Sequence, residues 1–189
     1  MLVGCGTATG EPSSTESGTV EGGDEPTTPA ALAWVAAEHL GDPDSASAED
    51  DIAEELGNGA LGAELRFGSD GEYDGDLLVV AVGTAASEEL VCTPGRRDWV
   101  ECVETARGTV LWEDETPEED PGNVLVTVTK GEVTVLVFQA GPAITDDPRE
   151  LDLPISVEDM FAIAEDPRVD LTTSREAVEA GADATYWQG

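Results

Sequence analysis

Between Asn123 and Ala140 the chain alternates with a period of two. Val124, Val126 and Val128 are interleaved with Leu125, Thr127 and Thr129; after a break, Val133, Val135 and Val137 are interleaved with Thr134, Leu136 and Phe138. Alternation so rich in β-branched residues is what strands in a sheet require. The break, Lys130-Gly131, contains the residue that takes positive φ most readily. The stretch reads as a β-hairpin around which the rest of the chain is built. Leu61 to Phe67 alternates and Leu77 to Val82 is an apolar run, so these read as strands joined by the polar loop Gly68 to Asp76. Val100 to Thr105 and Thr109 to Trp112 form a further hairpin turning at Arg107-Gly108, and an acidic loop, Glu113 to Asp120, leads from it through Pro121-Gly122 to the central pair.

Helical spacing appears on either side of this block. Pro29 opens a helix capped by Thr28, with Leu32, Val35, Ala36 and Leu40 on one stripe, His39 beside it and Trp34 pointing the other way. Ser47 to Asp50 reads as a second helix start, with Ile52, Ala53 and Leu56 inward and Gly57 as the stop. After Gly141-Pro142, Ser156 begins a helix with Val157, Met160, Phe161 and Ala164 on one face, ended by Pro167; Thr173-Ser174-Arg175-Glu176 is a capping box for a last short helix closed by Gly181. Strands in the middle and helices at both ends predict an α+β fold, a largely antiparallel sheet of five to seven strands with two N-terminal and two C-terminal helices.

Composition divides the chain. Gly6 to Pro29 is rich in Gly, Ser, Thr, Glu and Pro, with Val20 its sole large apolar residue, the composition of a flexible tether. The expected organisation is residues 1–4 as the remnant of a signal peptide, 5–29 as a lipidated cysteine and tether, and 30–189 as a single domain. A formal charge of -34, from 42 acidic and 8 basic residues, excludes nucleic acid as a partner, because such a surface repels phosphate backbones. It is also the composition of proteins from salt-loving sources. No stretch approaches the ~18 consecutive apolar residues of a membrane span.

Candidate chemistry is sparse. Leu2-Val3-Gly4-Cys5 has an aliphatic residue three before a cysteine and small residues between, and resembles the lipobox of bacterial lipoproteins. The resemblance implies a diacylglyceryl group on Cys5 and attachment to the outer face of the cytoplasmic membrane. Cys92 and Cys102 flank a Pro-Gly turn and are expected to form a disulfide, since further zinc ligands at close spacing and a Cys-X-X-Cys redox spacing are both missing. Arg96, Arg97 and Trp99 between them are candidate contacts for a carboxylate or phosphate on a ligand, or simply neutralise nearby acids. Asp70, Glu72, Asp74 and Asp76 fit the first positions of a calcium loop, but Ala81 stands where the bidentate glutamate belongs, so neither a metal nor a cofactor is expected. His39, the single histidine, has no nucleophile pattern around it and reads as structural.

Two copies of Asp-Pro-Arg, at Asp147-Pro148-Arg149 and Asp166-Pro167-Arg168, frame the third helix. The segment from Asp147 to Pro154, the helix and the run Asp166 to Thr173 together resemble the C-terminal part of actinobacterial-type cell-envelope lipoproteins. That likeness implies an envelope location and transfers no functional residue. In each copy proline fixes φ and the arginine can reach back to a carboxylate, so Arg149 and Arg168 read as loop pins. The expected function is a non-catalytic extracytoplasmic binding or interaction module for an unidentified protein or small molecule. The rival classes are a carboxylate-dependent hydrolase such as a glycosidase, and a sensor of calcium or ionic strength.

Overall fold

The computed structural model describes residues 23–68, 76–93, 100–116 and 120–189. Along these run β1 (Glu25–Pro26), α1 (Pro29–Leu40), β2 (Ser45–Ala48), β3 (Leu61–Phe67), β4 (Asp76–Gly83), β5 (Val100–Glu104), β6 (Thr109–Glu113), β7 (Asn123–Lys130), β8 (Val133–Ala140), α2 (Val157–Glu165), β9 (Thr172–Thr173) and α3 (Arg175–Asp183). The fold is α+β. Seven strands form one antiparallel sheet in the order β2-β3-β4-β8-β7-β6-β5, and β1 pairs with β9 in a separate ribbon. The Asn123–Ala140 hairpin therefore lies at the centre of the sheet, with Val126 opposite Val137 and Leu125 opposite Phe138.

The last pair of that hairpin is Lys130 with Val133, so the turn is Gly131-Glu132, one residue later than Lys130-Gly131. Gly131 takes φ 66° there. Lys130 is held in the strand because its Nζ donates to the carbonyls of Asp166 (2.8 Å) and Val169 (2.7 Å), just past the end of α2. Asp166 is the C-cap of α2 and its carbonyl also accepts the Val169 N–H at 3.0 Å, so the lysine braces the turn that follows the helix.

One face of the sheet carries the main core. Leu65, Leu78, Val80, Val126, Val135 and Val137 pack there with Leu32, Val35 and Ala36 of α1 and Met160, Phe161 and Ile163 of α2. The local signals for these helices hold. Thr28 Oγ1 accepts from the Ala31 N–H at 3.2 Å with Pro29 at the first helical position, and Ser156 with Asp159 forms a reciprocal capping box. α1 is buried more widely than one stripe, since α3 packs against it as well. Gly181 makes that approach possible: a Cβ on it would lie 2.4 Å from the Ala30 carbonyl oxygen. Glycine here marks helix contact, not a stop, and α3 runs through it to Asp183 with Ser174 as its cap.

Two further expectations change. The segment after Gly41 forms no second α-helix. Ser45–Ala48 pairs with β3 as an edge strand, and residues Ala53–Leu56 make a single 3-10 turn. The cap is Glu49, whose carboxylate accepts the N–H groups of Ile52 and Ala53 at 2.9 and 3.1 Å, and Gly57 at φ 89° ends the turn at once. The fold thus has one helix before the large sheet and two after it. Composition places residues 25–28 in the tether, yet Glu25 and Pro26 pair with Thr173 and Thr172, and the Thr27 N–H donates to Leu171 O at 3.1 Å.

The opposite face of the sheet is covered unevenly. Gly62 and Gly83 lie on it, and a Cβ at either would stand 2.4 Å from a carbonyl oxygen, of Glu49 and Leu56 respectively. Without those side chains the 3-10 turn rests on the backbone of β3 and β4, burying Ala53, Leu56 and Ala81. The neighbouring strands β8, β7 and β6 present Leu136, Phe138, Leu125 and Leu111; Leu136 is buried against the turn with Leu90, while Leu125 and Phe138 are covered only in part.

Candidate functional site

A cavity of about 220 Å³ opens over those strands. Its floor is Leu111, Leu125, Leu136 and Phe138, which alternation places on the face away from the helices. One wall comes from Ile52 and Glu55 around the 3-10 turn, another from Glu89, Leu90, Val91 and Thr93. Cys102 lines the edge nearest β5 and is bonded to Cys92, with the two Cα atoms 5.6 Å apart. The disulfide therefore ties the Leu90–Thr93 wall to the edge strand of the sheet. Val91, on the rim, is the large apolar side chain left most open among the described residues, at 53 % exposure.

The charged groups at this cavity among the described residues are acidic, beside the neutral Thr93 and Asn123. Glu55, Glu89 and Glu113 line it, and neither lysine nor arginine does among the described residues. Glu113 accepts from Asn123 Nδ2 at 2.9 Å, a neutral donor that leaves the carboxylate charge in place. Glu89 is engaged in an interaction of its own. An apolar floor beneath a negative rim can hold a hydrocarbon group and orient it by charge.

The cations of the described residues are committed elsewhere. Arg107 bonds both oxygens of Glu165 (2.7 and 2.8 Å) and Glu158 (2.6 Å), with its guanidinium 4.6 Å above the Phe161 ring. Arg149 and Arg168 fold back on Asp147 and Asp166 by the same pattern, each backbone N–H and Nε reaching the aspartate two residues earlier, and Arg168 also binds Glu38. Arg175 meets Glu25 at 3.0 Å, and Arg66 meets Glu64 at 2.8 Å. A second cleft, of about 290 Å³, is lined by Arg107, Arg149, Leu151 and Phe161, but both guanidiniums are already paired and it offers no free positive charge.

His39 sits where the sequence placed it, in the last turn of α1, and its Nε2 lies 3.0 Å from Asp166 Oδ2. Burial disfavours the Asp166 charge, yet the Arg168 side chain and N–H, with His39, hold this carboxyl down at about 2. Trp34 lies under Arg168, ring centroid to guanidinium 5.5 Å. These contacts pin α1 to the end of α2 and give His39 and Arg168 structural tasks.

Of the residues singled out from the sequence, Cys102 lines the cavity, and its disulfide partner Cys92 lies between the lining residues Val91 and Thr93. Cys5, Arg96, Arg97, Trp99, Asp70, Glu72 and Asp74 lie outside the described residues. Asp76 begins β4 opposite Phe67, and burial raises its pKa. No group of three or more metal-ligating side chains occurs among the described residues. The floor residues were missed because apolar strands look alike from either face. The available signal was the size difference within the central hairpin, valine on one register and Leu125, Leu136 and Phe138 on the other.

Fold and cavity together define a class: a seven-stranded antiparallel sheet with helices on one face and an acid-rimmed apolar pocket on the other. Comparison with protein-family models, curated proteins and solved structures finds no match.

Proposed function

We propose that the protein is a non-catalytic extracytoplasmic binding module, held at the outer face of the cytoplasmic membrane by a lipid on Cys5, with the sheet pocket as its ligand site. The observation that carries this reading is the cavity of about 220 Å³ over β6, β7 and β8, where half-buried Leu125 and Phe138 lie beside Leu111 and Leu136 and the 3-10 turn covers only part of the floor. Apolar surface left concave and rimmed by charge is what small-molecule sites look like. The disulfide at the pocket edge suits an oxidising compartment, and the lipobox-like Leu2-Val3-Gly4-Cys5 supports the anchor.

The test has two parts. Intact protein expressed from its own start codon should carry acyl chains on Cys5 by mass spectrometry and should leave the membrane fraction in Cys5→Ala. A screen of neutral, anionic and cationic small molecules, read by NMR shifts, should yield signals lost in Leu125→Trp, which fills the pocket. An unmodified cysteine in cytosolic protein would overturn the anchor, and a screen with no Leu125-dependent signal would overturn the site. The hydrolase reading draws on one observation, the carboxylates sharing the rim. Turnover of a nitrophenyl glycoside lost in both Glu55→Gln and Glu113→Gln would move the pocket to that class.

A further inference from the structure

We infer that the pocket takes an amphipathic cation, a compact hydrocarbon body bearing a protonated amine; this rests on the pocket being the ligand site. Size comes first. At about 220 Å³ the cavity is larger than the roughly 150 Å³ that encloses a benzene ring. It therefore has room for one ring, or a branched aliphatic group of that bulk, and a short arm. The floor offers such a body only hydrocarbon, from Leu111, Leu125, Leu136 and Phe138. The arm must end at the rim, where Glu55 and Glu113 stand, and there charge decides the class.

Burying part of a ligand against these side chains brings its polar end into a region of negative potential. An anion would approach carboxylates on a chain whose formal charge is -34. A cation is drawn by the same field and finds acceptors at the rim. The partner of Glu113 is a neutral amide, which leaves lone pairs on its carboxylate for an ammonium group. The six described cations are engaged in ion pairs or with carbonyls away from the cavity, so none of them lines the rim to neutralise it. Val91, 53 % exposed at the mouth, adds apolar surface beside the entrance, which the stem of such a ligand would cover.

The experiment titrates the full chain with phenethylammonium, with 3-phenylpropionate and 2-phenylethanol of similar shape, and with ethylammonium, which carries the charge without the body. Calorimetry and NMR should show saturable one-to-one binding of phenethylammonium. The affinity should be at least about tenfold above each of the other compounds, since apolar burial and charge both contribute. Glu55→Gln with Glu113→Gln should weaken it about threefold to tenfold, the range for partly exposed charge pairs. Leu125→Trp should abolish it, and Val91→Ser, at a position 53 % exposed, should weaken it. Equal binding of the alcohol or the carboxylate, lost in Leu125→Trp, would overturn the cationic class and leave the binding module standing. Phenethylammonium binding that survives both Leu125→Trp and Val91→Ser would place the cation in the general ion atmosphere and overturn the site for it. Absence of saturable binding by all four probes overturns the cationic class, and only the absence of any Leu125-dependent signal in the wider screen overturns the site itself.

Discussion

Gln139 is the clearest misfit in the core. It lies on β8 in the same register as Val135 and Val137, directly opposite Leu78 of β4 and Val124 of β7, and is 1 % exposed. Neither its Nε2 nor its Oε1 has a hydrogen-bond partner among the described residues. A buried amide left unpaired loses its hydration without compensation, a penalty of about 1–3 kcal/mol. Gln139→Met keeps the length and nearly the volume of the side chain while removing both polar atoms, and volume-conserving changes are what packed cores tolerate. The variant should therefore be more stable by about 1–3 kcal/mol, which for a domain of this size is a rise in Tm of about 2–12 °C. Urea unfolding at constant m-value, alongside a thermal scan, separates a true stability gain from a change in the denatured state. Equal or lower stability of Gln139→Met would refute the reasoning and show that the amide is hydrogen-bonded in solution. Because Gln139 faces the helices, ligand binding on the opposite face should not change with it.

Other consequences are as direct. Replacing both Cys92 and Cys102 with serine opens a loop of sequence separation 10 and should destabilise by about 2–3 kcal/mol on the chain-entropy argument; an unchanged unfolding midpoint would mean the bond constrains nothing. Asp166 titrates at about 2 in the folded protein against an ordinary 3.8, so its contribution is complete above about pH 4 and is lost as pH falls through 2. Asp166→Asn should flatten that acid limb of the stability curve, and an identical limb in the two proteins would rule the contribution out. With a formal charge of -34, Tm should rise from low salt to about 0.15 M, where the Debye length shrinks to ~8 Å; a flat or falling trend contradicts self-repulsion.

What could be read from the sequence follows the range of the forces involved. The central hairpin, α1 and α2 were legible because their periodicities and caps are local: Thr28 bonds three residues on, and Ser156 with Asp159 spans one turn. The Asp-Pro-Arg turns were legible for the same reason. The edge strand Ser45–Ala48 was not, since a four-residue polar strand has no pattern to distinguish it from a helix start, and its pairing with β3 decided its state. Lys130 reaches carbonyls 36 and 39 residues away, and Arg107 reaches carboxylates 51 and 58 away. No local rule predicts those bonds. Of the candidate site only the cysteine pair at its edge was legible; the floor needed the topology that sets Leu111, Leu125 and Phe138 side by side.

The distribution of scarce positive charge explains why the two faces of the sheet differ. Carboxylates of α1, α2 and the turn after α2, namely Glu38, Glu158, Glu165 and Asp166, crowd the helical layer, where helix must pack on helix and sheet. Arg107 and Arg168 draw these groups together at that layer, Lys130 satisfies the carbonyls behind α2, and Arg175 ties α3 to β1. Apart from the local Arg168–Asp166 pair, these bonds link segments distant in sequence, so removing one loosens packing as well as charge. On the pocket face the 3-10 turn is held by Glu49 acting on backbone N–H groups and by the glycines beneath it, a mechanism that needs no cation. That face can therefore keep a negative rim without loss of its own fold, and a positively charged ligand would supply there the compensation that arginine and lysine supply among the helices.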